Sequence, residues 1–448
     1  MSKSSGSFLR TMLSIAIPVT LQNLLFSSFT LVDTVMIGRL GDTQLAAVGM
    51  AGKWSWFLSI VFFGCTSGAG VFMAQYFGAG NRKGIHRTYG LMTILTMAAS
   101  LVFTLAALLV PEIIVGMFSS DPAAIRYGSA YLRIIALCYP FQALSRSGGM
   151  LLQSTQKVMI PFVGAACSVV TNIVLNAVLI FGLCGFPALG VEGAAIASAI
   201  AAVVNMAVIY AAGLKTDTML RAPIADMLDI SRKFVRDYIR VAAPTLFNET
   251  TWSLGILIYS AIFGHISTEA YAAVTVVKSI EDLTCVAIFG LGSSCAVMIG
   301  SMIGRGEIDK AKYCAKMHLY LVTALSLAIG GAVLVMRRPI IALFGVSEAV
   351  AGDAAIILAI YALEMWLRNI PYMLVVGIFR AGGDTRYALF VDFASAYLLG
   401  IPLTALSGLV FGWGLPVSYL IMYLVEDTLK VVLYGLHYRS GKWIKPVV

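Results

Sequence analysis

The chain is a succession of long apolar runs separated by short polar interruptions. Charged residues, glycines and prolines mark the interruptions. Most runs extend for about 20 residues or more, the length that an α-helix needs to cross a bilayer. The pattern therefore predicts membrane-spanning helices rather than a soluble core. We place twelve of them near residues 8–37, 44–77, 86–111, 122–150, 158–184, 189–213, 233–264, 270–303, 311–336, 349–380, 387–409 and 412–436.

The second half of the chain repeats the pattern of the first half. With a displacement of 226 residues and no gap, AIPVTLQN (16–23) falls on AAPTLFNE (242–249). At the same displacement, residues 63–80 fall on residues 289–306, and six residues of the first segment meet an identical residue: Phe63, Gly64, Ser67, Val71, Gly78 and Gly80. A repeat of six spans, an even number, gives two bundles of the same orientation, an arrangement that many transporters use.

The predicted fold class is an all-α polytopic membrane protein with twelve transmembrane helices in two pseudo-symmetric six-helix bundles. We expect an N-terminal lobe over 1–214, a cytoplasmic linker over 215–232 and a C-terminal lobe over 233–448. Pro18 and Pro244 occupy matching positions in the first span of each lobe. A proline removes a backbone donor and can kink a helix, so we interpret both residues as hinges.

Composition supports a membrane location. Hydrophobic residues make up 59% of the chain and charged residues 12%, against about 25% charged residues in soluble domains. A transmembrane β-barrel would instead alternate apolar and polar positions in segments of about 10 residues. The first apolar run is too long for a signal peptide, so we expect it to be retained as the first span.

The net charge of +9 comes mainly from lysines and arginines in the loops between spans. Most of them fall on one side of the membrane if the N-terminus is cytoplasmic, which is the positive-inside pattern. We therefore expect a multi-pass protein of the inner (plasma) membrane with both termini cytoplasmic. The basic residues form no patch interleaved with aromatic residues, so a nucleic-acid partner is not expected.

The sequence carries no catalytic motif. It lacks G-x-x-x-x-G-K-[ST], G-x-S-x-G and H-E-x-x-H, and its four histidines and seven cysteines are scattered. A membrane-embedded enzyme would need such residues clustered at membrane depth, so we expect a protein that is not an enzyme and has no organic cofactor. Uphill transport by this chain would draw its energy from an ion gradient.

Four carboxylates lie at or near membrane depth: Asp33, Glu249, Glu281 and Asp282. A charge at the centre of a span costs about 2.5–3.5 kcal/mol on insertion scales, so each of them needs an explanation. A fifth acid, Glu364, stands four residues before Arg368, and the two could neutralise each other on one helix face.

Asp33 lies in the first predicted span. It is either a carboxylate at the outer membrane edge beside Arg39 or a cavity-facing group that takes up a proton or binds Na⁺. Asn172 and Asn176 share one face of the fifth span, and Ser198 lies in the sixth. Their oxygens could complete a cation site with Asp33, which would include a possible Na⁺ ligand set. The alternative for the asparagines is hydrogen bonding between helices.

Glu249 is the first-span acid of the second half. Its counterpart in the first half is Asn23, and the counterpart of Asp33 is Tyr259, so the two lobes have diverged in chemistry. We expect Glu249 to be a substrate counter-charge or second cation site, with Tyr259 and Asn369 as weaker co-ligands. Glu281 and Asp282 either contact substrate or pair with Lys278 at the rim.

The sequence resembles the multidrug and toxic compound extrusion (MATE) family over nearly its full length. The resemblance rests on IAIPVTLQNLL, LVDTVMIGRLG, AQYFGAGNRK, IGSMIGRGEIDKA and GIFRAGGDTR, which occur in this order. It implies two six-helix lobes around a cavity and efflux of cationic or amphiphilic drugs, hence antibiotic resistance, by antiport against Na⁺ or H⁺. It also implies small organic cations and the lipid bilayer as partners of a monomer.

The resemblance also implies roles for single residues. Asp33 corresponds to the first-span carboxylate of the family, Asn172, Asn176 and Ser198 match its cation site, and Glu249 matches the seventh-span glutamate of NorM-like members. DinF-like members have an aspartate at the position of Asn176, and NorM-like members have one at the position of Asn369. The features are thus mixed, and the coupling ion stays open between Na⁺ and H⁺.

An alternative from the same superfamily is a flippase for lipid-linked oligosaccharides. Such proteins often have additional spans and a strongly basic cavity. In this chain the acids at membrane depth are as numerous as the bases. The charge pattern therefore favours a transporter of organic cations.

Overall fold

The computed structural model describes residues 2–119, 121–216 and 219–447. In this part of the chain the secondary structure is helical, and the only β-type pairing is an isolated bridge between Gly383 and Ile444. The all-α fold class predicted from the hydrophobic pattern is confirmed.

Within the described residues, nine helices are long and apolar enough to cross a membrane. The predicted span at 122–150 is instead two helices of 15 and 16 residues, Pro122–Ala136 and Tyr139–Ser154, with a break at Leu137. The predicted spans at 233–264 and 412–436 do form long helices, but polar and charged residues interrupt their apolar surface.

Two compact units divide the chain. The first, which we call the N-unit, comprises Leu21–Ile239. Its buried core includes Phe62, Leu132 and Tyr139. Its helices, the first of which extends beyond the unit, are α1 (Ser2–Gly38), α2 (Asp42–Gly78), α3 (Arg82–Leu109), α4 (Pro111–Gly116), α5 (Pro122–Ala136), α6 (Tyr139–Ser154), α7 (Met159–Phe181), α8 (Gly190–Lys215) and α9 (Ile224–Leu228), with a 3₁₀ turn at Leu183–Gly185.

The second unit, the C-unit, comprises Arg240–Val448 together with Met1–Thr20. Its helices are α10 (Arg232–Ile266), α11 (Thr268–Gly304), α12 (Ile308–Ala342), α13 (Glu348–Tyr372), α14 (Arg386–Phe393), α15 (Ile401–Ala405) and α16 (Gly414–Ser440). Three π-helical segments, Met373–Phe379, Ala394–Gly400 and Leu406–Val410, extend these helices.

The unit boundaries differ from the lobes predicted at 1–214 and 233–448, because α1 and α10 both extend past the boundary of a unit. In the C-unit, the ring of Phe8 packs edge-on against Tyr313 and His318. In the N-unit, Tyr238 of α10 stacks on Phe72. Hydrophobic periodicity identifies a helix, but it does not reveal against which unit each turn of that helix packs.

The predicted linker 215–232 is partly structured and belongs to the N-unit, although residues 217 and 218 lie outside the described residues. Its short helix α9 packs on α3. At this contact, Oδ2 of Asp226 lies 3.2 Å from Nδ1 of His86. The carbonyl of Met227 lies directly over Gly90, a position where a side chain would collide with it.

The internal repeat is visible in the backbone. After α2, the amides of Ala79, Gly80 and Asn81 donate to the carbonyls of Gln75, Phe77 and Tyr76. After α11, the residues 226 positions later make the same three hydrogen bonds: Arg305 to Ser301, Gly306 to Ile303 and Glu307 to Met302. Gly80 and Gly306 both have a positive φ, 69° and 76°, which glycine adopts without a steric penalty.

Two of the π-helical segments adjoin prolines. Pro371 lies in the last turn of α13, just before Met373–Phe379, and Pro402 begins α15 just after Ala394–Gly400. A proline lacks the amide hydrogen that its turn of helix would use, and a π-type turn is one way to accommodate the gap. The predicted hinges Pro18 and Pro244 lie inside α1 and α10, which continue past them, so their hinge role stays a prediction.

Candidate functional site

The N-unit brings together the four residues predicted to form its cation site. Asn176 of α7 donates from Nδ2 to Oδ1 of Asp33 on α1 at 2.7 Å and to Oδ1 of Asn172 at 2.9 Å. Asn172 in turn donates to Oγ of Ser198 on α8 at 3.1 Å. The spacing of four residues places both asparagines on one face of α7, where they are fully buried.

The Asp33 carboxylate has no neutralising partner among the residues that the structure describes. In the described part of the chain it forms no ion pair, neither with Arg39 nor with another basic side chain, and its hydrogen bond comes from a neutral amide. The Oδ1 atom of Asn176 is also buried and, among the described residues, has no hydrogen-bond partner. A partly buried negative charge beside an oxygen that has no partner in this part of the chain is an arrangement that a proton or a small cation would stabilise.

Tyr131 is a member of this cluster that the sequence did not reveal. It lies on α5, is 7% exposed, and its hydroxyl interacts with Ser198 and faces the charge of Asp33. A single tyrosine in an apolar run carries no signal of its own. Its place in the site depends on the packing of α5, which only the structure shows.

In the C-unit, Glu249 is paired with a base. Its Oε1 lies 2.5 Å from Nη2 of Arg380, the arginine of GIFRAGGDTR, and the same Nη2 donates to Oδ1 of Asn248 at 2.9 Å. Asn248 then donates to Oδ2 of Asp392 on α14 at 2.6 Å. Arg380 lies in the turn that follows Met373–Phe379 and is only 4% exposed.

A second ion-pair group surrounds Lys430 of α16. Its ammonium nitrogen lies 2.5 Å from Oε1 of Glu426 and 3.3 Å from Oδ1 of Asp392. Tyr434 donates to Asp392 at 2.8 Å, and Tyr259 donates to Oε2 of Glu426 at 2.7 Å. Tyr259 thus contacts the Lys430 group directly, and Asp392 links that group to Asn248 beside Glu249.

A third group is centred on Glu281 of α11, which is 3% exposed. Its Oε1 accepts from Tyr419 at 2.8 Å and from Tyr423 at 2.5 Å, and its Oε2 lies 3.3 Å from Arg368. Lys278 lies 3.5 Å from Glu281 and 2.7 Å from Asp282, which is largely exposed.

Glu364 and Arg368, whose spacing would allow them to neutralise each other, form no direct ion pair among the described residues. Arg368 donates to Tyr423 at 2.5 Å and pairs with Glu281, whereas Glu364 forms no ion pair among the described residues. The helix spacing allowed the pair, but α11 and α16 offer Arg368 a buried carboxylate and a phenol that are better placed.

The five candidates of the second half therefore do not form one site by their hydrogen bonds and ion pairs. Asn369, the last of them, donates to Ser326 of α12 at 2.9 Å and is 4% exposed. The sequence also missed four charged residues of the C-unit that take part in these groups or lie beside them: Asp392, Glu426, Asp427 and Lys430. Glu426, Asp427 and Lys430 all lie in LVEDTLKVV, inside a predicted span. Charges at that depth are costly, so they could have indicated a functional group.

Comparison with known proteins finds relatives along nearly the whole chain. The family model described as MatE matches residues 18–178 and 244–406, one match in each half of the chain. An uncharacterized transporter, YisQ of Bacillus subtilis, is 24% identical over 97% of this chain and 95% of its own length. The probable multidrug resistance protein NorM of Thermotoga maritima is 23% identical over 98% and 94%.

Solved structures share the fold. A mutant of the Vibrio cholerae MATE transporter VcmN superposes with a TM-score of 0.90 at 20% identity, over 99% of both chains. A structure described as MATE in the bent conformation gives a TM-score of 0.88 at 19% identity, over 97% of this chain and 95% of the other.

Proposed function

Because the chain belongs to the MatE family of membrane transporters, we propose that it exports small organic cations by antiport against H⁺ or Na⁺. The observation that carries the proposal is Asp33, a carboxylate in an apolar helix that hydrogen-bonds to Asn176 and has no basic partner among the described residues. Relatives named for multidrug resistance support drug efflux over the flippase alternative.

The Asp33 cluster offers what exchange requires, a single negative charge for which two cations compete. With Asp33 ionised, a cationic drug gains electrostatic attraction, and with a proton or Na⁺ bound the attraction is lost. The Oδ1 of Asn176, which has no hydrogen-bond partner in the described part of the chain, and the Oγ of Ser198 add neutral oxygens of the kind that hard cations bind. The residues therefore fit either ion.

Glu249 is a weaker candidate for the same role, because Arg380 already neutralises its charge. We propose that it acts as a substrate counter-charge only when this pair opens. Four residues of the C-unit remain candidates for contact with the substrate or a second cation: Tyr259, Asn369, Glu281 and Asp282. We also propose a monomer of the bacterial inner membrane with both termini cytoplasmic.

The test is ethidium efflux from proteoliposomes with either a pH gradient or a Na⁺ gradient imposed. Wild-type protein is expected to respond to one gradient, which identifies the coupling ion. Asp33→Asn should reduce efflux by about tenfold or more, because losing a charge worth 1.4 kcal/mol to the transport barrier changes a rate about tenfold.

Glu192→Gln is the matched control, since Glu192 is an exposed acid in the first turn of α8, the helix that carries Ser198. It should leave efflux unchanged. Wild-type efflux rates in Asp33→Asn under both gradients would contradict the role of Asp33.

A further inference from the structure

Asp427 is a carboxylate buried in the C-unit. It lies in the middle of α16 and is 6% exposed, and its Oδ2 has no hydrogen-bond partner among the described residues. No ion pair to it occurs in the same part of the chain. An ionised carboxylate buried in this state would be strongly destabilised, so this group needs a ligand.

Charged and titratable groups face Asp427 from four helices. The groups that interact electrostatically with Asp427 are Tyr259 of α10, Glu364 and Arg368 of α13, Asp392 of α14, and Glu426 and Lys430 of α16. The two bases are already engaged. Lys430 contacts Glu426 and Asp392, and Arg368 contacts Glu281.

Glu364 has the same character as Asp427. Its Oε2 is buried without a hydrogen-bond partner in the described residues, and the two carboxylates are close enough to repel each other when both are charged. Counted together, these acids outnumber the bases around them: the acids are Asp392, Glu426, Asp427, Glu364 and Glu281, and the bases are Lys430, Arg368 and Lys278. This part of the C-unit thus carries an excess of negative charge that a bound cation would offset.

We propose that Asp427, with Glu364 beside it, is a proton-binding site of the C-unit, separate from the Asp33 cluster. The role of this site in transport rests on the antiport proposed above. A proton from water forms one O–H bond to the buried Oδ2 and breaks none in the protein. Na⁺ would need several oxygen ligands and would lie among two fixed cations, so a proton fits better.

The site has a route to the rest of the C-unit through Lys430. Lys430 follows Asp427 by three residues on α16, so an ionised Asp427 competes with Glu426 for the ammonium group. Glu426 also holds the hydroxyl of Tyr259 on α10. Protonation of Asp427 therefore favours the Lys430–Glu426 pair seen here, and deprotonation weakens the contact of α16 with α10.

Two measurements on the full-length protein test the proposal. The first is the pH-difference infrared spectrum of purified protein, in which a protonated carboxylic acid gives a carbonyl stretch that Asp427→Asn should remove. The second is ethidium efflux from proteoliposomes driven by a pH gradient. Asp427→Asn, which resembles the protonated state, should lower that efflux by about tenfold or more.

Glu364→Gln serves as a second variant and is expected to act in the same direction. Glu348→Gln, an exposed acid in the first turn of α13, is the control and should leave both readouts unchanged. A carbonyl band identical in wild type and Asp427→Asn overturns the proposal, whatever the efflux. Absent wild-type efflux with a band lost in Asp427→Asn would uphold the proton site and refute the antiport instead.

Discussion

Glu249 and Asp33 are acids of corresponding helices, α10 and α1, yet their surroundings differ. Arg380 neutralises Glu249, while Asp33 hydrogen-bonds only to a neutral amide among the described residues. The sequence repeat already showed that the two lobes place their first-span acids at different positions. The structure adds that one acid is paired and the other is not, which is a tertiary property.

The pairing of Glu249 with Arg380 predicts a strong coupling between the two residues. Glu249→Gln should destabilise the protein toward heating, because it leaves the buried Arg380 charge without its partner; breaking a fully buried pair costs about 3–5 kcal/mol, and the partly exposed Glu249 should make the loss smaller. Arg380→Gln should have a similar effect. The double variant should lose less than the sum of the two losses, since neither charge is then left alone.

Thermal unfolding of the purified protein in detergent measures all four members of this cycle. Purely additive losses would show that Glu249 and Arg380 act independently. The exposed pair of Arg133 and Glu112, 2.7 Å apart, is the control, and its cycle should show a coupling of about 1 kcal/mol or less.

The sequence predicted individual residues well where the argument needed only helix periodicity. Asn172 and Asn176 share a face because they stand four apart on α7. The partner of Arg368 could not be predicted, because Glu281 is 87 positions away along the chain and reaches it only through packing of α11 on α13. The grouping of Asn176 with Asp33 came from the oxygens available at membrane depth, and the family resemblance supported it, because 143 positions separate the two residues and spacing alone does not bring them together.

At the scale of elements, glycines set the closest helix contacts. A Cβ atom at Gly330 of α12 would collide with the carbonyl oxygen of Ala362 on α13, whereas a Cβ atom at the adjacent Gly331 would meet nothing within 4 Å. The backbone of α13 cannot move aside as a side chain would. Gly330 therefore permits the close approach of α12 and α13.

This contrast predicts opposite effects of two neighbouring substitutions. Gly330→Ala should lower the melting temperature, because α12 must move away from α13. Gly331→Ala should keep or raise it, since alanine favours a helix over glycine by about 1 kcal/mol. Thermal unfolding of both variants measures the difference, and equal shifts would refute the packing role of Gly330.

Hydrophobic runs predicted the helices themselves because a span requires a continuous apolar length. They did not predict the break at Leu137 between α5 and α6 or the three π-helical segments of the C-unit. Such local changes depend on how backbone groups find partners after packing, and a pattern of side-chain polarity does not record them.

For the whole molecule, the membership of residues 2–20 in the C-unit is the main departure from the predicted lobes. These residues belong to the first half in sequence but pack in the second unit, where Ala16 and Thr20 lie against Gly290 of α11. Sequence repeats divide a chain at the linker. Packing divides this chain within two helices instead.

The packing of residues 2–20 in the C-unit predicts how the protein behaves when it is expressed as two fragments. If the gene is split in the linker, a fragment of residues 219–448 should accumulate in membranes when expressed with residues 1–216. It should accumulate several times less when expressed with residues 21–216. Residues 2–20 are then absent, and they are the residues that cover Gly290 and its neighbours. Quantitative immunoblotting of the membrane fraction measures this, and equal amounts would refute the assignment.

One turn of the backbone bears on the history of the chain. After α6, Thr155, Gln156 and Lys157 donate to Leu151, Gln153 and Leu152, and the residues 227 positions later, Gly382, Gly383 and Asp384, make the same three bonds to Ile378, Arg380 and Phe379. Gln156 has a φ of 64° and Gly383 one of 88°. Only glycine adopts this region without a penalty, so the turn suits the second half and strains the first. We infer that an ancestral gene encoding one half already contained this turn, and that its backbone shape persisted after duplication although only the second half has a glycine at this position.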